Sequence, residues 1–191
     1  MIDRRMVLIG IGASLSGATL MSRAGHADNA VSKMTAYRFS FPALAGEPIR
    51  LADFAGKPVL VVNTASQCGY TPQYTGLQQL WSEFHGRGLS MIAVPSNDFN
   101  QEPGIAGDIA ELANKEYGVT FPMAAKAVVT GSNAHPFYRW AAEARPKETP
   151  RWNFHKYLIG RDGYLADVFA SSVEPTDTRV KTAVARLLAD G

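Results

Sequence analysis

A chain of 191 residues, 46% of them hydrophobic, can bury one core of its own and is too short for two large domains. Its 19 basic and 17 acidic residues leave a formal charge of only +2, too little to point to a nucleic-acid or membrane surface. Four scattered histidines give a metal site little support, and glycine-rich phosphate motifs and basic aromatic patches are missing.

The first segment reads as an address and not as part of the core. A charged head, Met1 to Arg5, precedes an apolar run from Met6 to Met21 that is diluted by Gly, Ser and Ala. Gly25-His26-Ala27 then supplies small residues where a signal peptidase cuts. We expect an export signal over residues 1–27, a linker over 28–36 and one domain over 37–191. The Arg4-Arg5 pair and Arg23 suggest a twin-arginine signal, with a general secretory signal as the alternative; the run is too short and broken for a membrane anchor. Residues 1–27 hold three of the basic and one of the acidic residues, so 16 of each remain and the mature chain is formally neutral. The expected location is periplasmic or secreted, without stable membrane insertion.

After the linker, Tyr37 to Phe41 alternates and Gly46 to Leu51 follows a turn, which predicts a β-hairpin. Pro58 to Asn63 is continuously apolar and β-branched, the pattern of a central strand buried on both faces. A polar loop with Cys68 leads from it into a helix carrying Leu77, Leu80, Trp81 and Phe84 at helical spacing. Cys68 is thereby expected at or near a helix N-terminus, where backbone N–H groups favour the thiolate, the reactive form. A lone cysteine is more commonly a small buried apolar residue. Its place after a strand and among polar residues favours chemistry, and in an exported chain with one cysteine it has no partner for an internal disulfide.

Gly86-Arg87-Gly88 stops the first helix, and Leu89 to Val94 reads as a strand parallel to the central one. The loop from Pro95 to Gly104 leaves that strand at the end where open α/β sheets place their sites. Gln101 and Asn97 could therefore face the thiol, although Asn, Gln, Pro and Gly are also ordinary turn residues. A helix with Ile105, Ile109 and Leu112 on one face follows, closed by Gly118. His135-Pro136 opens another helix with Phe137, Trp140 and Ala141 on one side. After a basic linker over 144–151 come two strands, Lys156 to Ile159 and Tyr164 to Phe169, joined through Arg161-Asp162-Gly163. A last helix starts near Pro175 and buries Val180, Val184, Leu187 and Leu188. This order predicts an α/β fold of thioredoxin-like type: a central mixed β-sheet flanked by helices, with an N-terminal β-hairpin.

Three blocks, Asn63 to Tyr74, Pro95-Ser96-Asn97 with Gln101 to Gly104, and Trp152 to Leu158, resemble the signature blocks of the glutathione peroxidase family, in the same order. The resemblance runs from about Tyr37 to the end. It implies a thioredoxin-like peroxidase that reduces hydrogen peroxide and organic hydroperoxides with thiols and needs no bound cofactor. Carried over by the resemblance, the peroxidatic cysteine is Cys68 and its partners are Gln101, Trp152 and Asn153. Uncharged donors of this kind suit a sulfur anion and charge building on oxygen. The second, resolving cysteine of thioredoxin-using members corresponds to Ala113, and another frequent cysteine to Ser96. A Cys68 sulfenic acid is thus expected to need an external thiol, such as glutathione or a thioredoxin-like protein. The loop before Gln101 is one residue shorter than is usual in the family, and the segment 142–151 is also short, which implies a monomer. Two other functions remain open on the residues: a periplasmic redox sensor or relay, and a non-catalytic binding module.

Overall fold

The computed structural model describes residues 34–189; the expected export signal and most of the linker lie outside them. A short β-ladder, β1 (Ser40–Phe41) with β2 (Ile49–Arg50), is antiparallel and forms a two-stranded sheet of its own. The predicted hairpin is therefore present but much shorter than its alternating pattern. Ala36–Arg38 and Leu51–Phe54 wind instead into single 3-10 turns that bury Ala36 and Leu51.

The main sheet has four strands: β3 (Val59–Thr64), β4 (Ser90–Pro95), β5 (Lys156–Ile159) and β6 (Leu165–Phe169), in the order β4-β3-β5-β6. β3 runs parallel to β4 and antiparallel to β5, and β5 is antiparallel to β6. Helix α1 (Gln73–Phe84) makes the crossover between β3 and β4. α2 (Ala106–Glu111) continues into a wider turn over Leu112–Glu116, and α3 (Pro136–Ala144) and α4 (Thr178–Ala189) complete the set. The mixed sheet flanked by helices is the predicted thioredoxin-like arrangement.

The apolar run in β3 has a direct cause. Side chains of a strand alternate between faces, and here both faces are covered. Leu60 and Val62 join Leu77 and Leu80 of α1 and Val180 and Val184 of α4 in one core. Val59 and Val61 join Phe137, Tyr138 and Trp140 of α3 in the other. All six β3 residues are buried. The α3 start is as predicted, with Pro136 in the first turn and His135 Nδ1 accepting the Phe137 N–H at 3.3 Å.

Two expected faces differ. Ile105 is not on the buried face of α2: it is 72% exposed, in an extended conformation ahead of the helix, while Ile109 is buried and Leu112 packs against the core. The last helix begins at Thr178, and its Leu187 and Leu188 are only partly buried, packing against the edge of the core that Val180 and Val184 enter. The Asp162-Gly163 turn closes the β5–β6 hairpin as predicted, with Gly163 in the left-handed region at φ +81 and its N–H on the Gly160 carbonyl at 2.9 Å.

Candidate active site

β3 ends in Asn63 and Thr64, and the chain then turns through 65–72 before α1 begins at Gln73. Cys68 lies in these turns, five residues ahead of the helix, near its N-terminus but not at it. A backbone donor nevertheless reaches the sulfur, because the Tyr70 N–H points at Cys68 Sγ at 3.3 Å. Thr71 fixes the turn: its hydroxyl accepts the Cys68 N–H at 3.0 Å and donates to the Ala65 carbonyl at 2.9 Å. Cys68 is 7% exposed and is the free cysteine of the chain.

The loop after β4 lies against this turn because β4 is parallel to β3, so both loops leave the same end of the sheet. The Gln67 N–H donates to the Gln101 carbonyl at 2.9 Å, and the Ser66 hydroxyl to Glu102 Oε2, also at 2.9 Å. Gln101 is thus held beside the residue that precedes Cys68. Asn100 takes a left-handed conformation, φ 56, which Asn tolerates better than most residues. Asn97 shapes the loop instead of facing the thiol, since its Oδ1 accepts the Glu102 N–H at 2.9 Å. Glu102 is fully buried, and burial raises its carboxyl above the ordinary range, against the lowering effect of the Ser66 bond.

The third segment precedes β5. Asn153 is fully buried and donates through Nδ2 to Gln101 Oε1 at 3.0 Å, so two of the expected site residues meet directly. That bond leaves the Gln101 amino group as a donor for a ligand. Trp152 is 40% exposed and packs at a tilt on Phe99, with ring centroids 5.4 Å apart; it is not a core aromatic. Trp152 and Tyr70 both line an open cleft of about 660 Å³, to which Lys147, Arg151, His155 and Ser171 also contribute.

What holds this segment is Asn63, the polar end of the otherwise apolar run in β3. Its side chain accepts the His155 N–H at 3.1 Å and donates to the Trp152 carbonyl at 3.2 Å, and its backbone carbonyl accepts the Phe154 N–H at 2.6 Å. A buried polar residue closing an otherwise apolar strand was the available signal, since such a group must find partners. Among the described residues, no group of three or more His, Cys, Asp or Glu is placed to hold a metal ion, and no helix is long and apolar enough to cross a membrane.

A thioredoxin-like sheet with one cysteine in the loop after its central parallel strand, next to two neighbouring loops joined by a carboxamide bond, defines the class: a single-cysteine protein of the thioredoxin-like fold. The glutathione peroxidase family profile matches residues 36–142. The hydroperoxy fatty acid reductase gpx1 of Synechocystis sp. is 44% identical over 153 residues, covering 75% of this chain and 90% of that protein. A glutathione peroxidase of Lactococcus lactis is 42% identical over 148 residues, with 75% and 94% covered. Among solved structures, the apo crystal structure of Trgpx superposes with a TM-score of 0.67 at 32% identity, over 82% of this chain and 97% of that one. The chain belongs to the glutathione peroxidase family and is a peroxidase of that type, an oxidoreductase. The profile match includes Cys68 and Gln101 and ends before Trp152 and Asn153.

Proposed function

We propose that the protein reduces hydrogen peroxide and organic hydroperoxides through a sulfenic acid on Cys68 and is restored by a thiol from outside the chain. The Cys68 thiolate attacks the hydroxyl oxygen of the hydroperoxide, an S–O bond forms and the O–O bond breaks. Sulfur is oxidised to S–OH, and the leaving oxygen takes a proton and departs as water or an alcohol. One thiol then condenses with the sulfenic acid to a mixed disulfide and releases water. A second thiol attacks that disulfide, frees Cys68 and leaves as the oxidised pair. An external reductant follows from the cysteine count, because a chain with one cysteine cannot close an intramolecular disulfide.

The observation that carries the reading is the joined geometry of three loops: the Tyr70 N–H on Cys68 Sγ, the Gln67 N–H on the Gln101 carbonyl, and the Asn153–Gln101 carboxamide bond. In this reading the Gln101 amino group and the Trp152 indole N–H stabilise charge on sulfur and on the leaving oxygen. The cleft lined by Tyr70 and Trp152, which Cys68 itself does not line, is the proposed approach for substrate and reductant. Lys147 and Arg151 on its wall suit a carboxylate, as carried by glutathione or a fatty-acid hydroperoxide. The relative named for hydroperoxy fatty acids supports including organic hydroperoxides. The protein would work as a monomer after export, with residues 1–27 removed and 37–191 as the functional domain.

Mass spectrometry after one equivalent of hydroperoxide tests the cycle. Trapping should add one sulfenic acid, at Cys68, and glutathione or a thioredoxin-like protein should convert it first to a mixed disulfide and then to free thiol. A Cys68 left unmodified, or a sulfenic acid that no thiol converts, contradicts the proposal.

A further inference from the structure

Lys156 opens β5 and is 0% exposed. Burial disfavours its charged form and lowers the amine to about 7, against the raising attraction of Glu174, and its two hydrogen-bond acceptors are neutral. Nζ donates to the Phe154 carbonyl at 2.6 Å and to Gln73 Oε1 at 2.8 Å. Gln73 is the first residue of α1, and its Nε2 donates in turn to the Ser171 carbonyl at 2.7 Å. One side chain thereby joins the segment that carries Trp152 and Asn153, the helix that starts five residues after Cys68, and the turn after β6 that walls the cleft.

Phe154 shows why such a clamp is needed. It stands in the left-handed region at φ 64 while fully buried, a conformation that is strained for a bulky residue and persists only where its surroundings hold it. The Asn63 carbonyl holds the N–H of Phe154, and Lys156 holds its carbonyl. A methionine would fill the same volume without a charge to desolvate. What it lacks is the pair of hydrogen bonds.

We propose that Lys156 is a positioning residue for the Cys68 reaction, its amino group fixing the Trp152–Asn153 segment against the start of α1 so that the two side chains meet the substrate in register. The inference rests on the peroxidase reading above. It extends the site to a residue that touches neither sulfur nor peroxide.

The test compares wild type, Lys156→Met, Gln73→Leu and the double variant, reading the rate of Cys68 oxidation by hydrogen peroxide beside thermal unfolding. Lys156→Met should lose some thermal stability, since it strands two buried acceptors, and its folded fraction should oxidise at least about tenfold more slowly, since small misplacements of reacting groups carry rate costs of this size. Gln73→Leu should slow oxidation less, and the double variant should be no slower than Lys156→Met alone. The emission of Trp152, isolated by subtracting matched Trp152→Phe proteins, should shift in Lys156→Met, a change that reports loop position whether or not Cys68 reacts with peroxide. A wild-type rate with unshifted emission overturns the inference, as does a rate loss that only tracks the unfolded fraction or two effects that multiply independently. Should Lys156→Met fail to fold, Gln73→Leu decides, and its unchanged rate and emission overturn the inference equally. If Cys68 of the wild type reacts no faster than a free thiol, the peroxidase reading falls, while the emission shift still judges the clamp.

Discussion

At the scale of single residues, the segment leading into β5 buries several of its polar side chains, Asn153, His155 and Lys156 among them. His155 is 5% exposed and packs edge-on to Tyr157, with ring centroids 4.8 Å apart. Burial, and after it the charge on Lys156, pushes its imidazole down to about 4, against a raising hydrogen bond to the Glu148 backbone. Above the ordinary value of 6.5 the ring is neutral in both folded and unfolded chains and pH has no hold on it. As pH falls from 6.5 toward 4, the unfolded chain binds a proton that the folded one refuses, so stability drops through that window and the loss is complete below it. The full loss is on the order of 3 kcal/mol. Urea unfolding measured across this range should show the acid limb in the wild type and a flatter one in His155→Gln; equal slopes in the two proteins would assign the acid loss to other groups.

At the scale of elements, the decisive connection is between the end of β3 and the lead-in to β5. Antiparallel pairing of β3 with β5 is recorded from Val59–Ile159 to Val62–Lys156. Beyond it the Asn63 side chain takes over, bonding backbone groups of Trp152 and His155. Asn63→Leu should keep the apolar packing but strand those two groups, at about 1–3 kcal/mol for each that finds no water. Denaturant unfolding should register that loss, and the oxidation rate of the fraction that remains folded should fall as well, because Trp152 and Asn153 would lose their anchor. A destabilised variant whose folded fraction keeps full activity would show that Asn63 serves stability alone.

At the scale of the whole molecule, the sheet was legible because its causes are local and repeated. β3, β4, β5 and β6 lie within one residue of their predicted bounds, since continuous apolar runs between turn residues leave few other choices. The N-terminal hairpin was legible as a pairing but not in length. Tyr37 shows the reason: its hydroxyl reaches the Arg161 carbonyl at 2.5 Å across the fold, a tertiary contact that no alternating pattern contains. Cys68 stood out by its uniqueness and Gln101 by the position of its loop, while Trp152 and Asn153 entered through the family resemblance. The structure brings Gln101 and Asn153 into direct contact and places Trp152 on the cleft. Asn63, Thr71 and Lys156 stayed hidden because their work is to hold backbone segments that are distant in sequence, which composition and periodicity do not encode.

The measurement closest to the central claim is stopped-flow oxidation of the protein by hydrogen peroxide and by cumene hydroperoxide, followed by tryptophan fluorescence, with Cys68→Ser as control. The account predicts oxidation at least about a hundredfold faster than that of a free thiol, as expected when positioned donors stabilise the developing charge, and its abolition in Cys68→Ser. Oxidation of Cys68 no faster than a free thiol, or a fluorescence change that survives in Cys68→Ser, would contradict it.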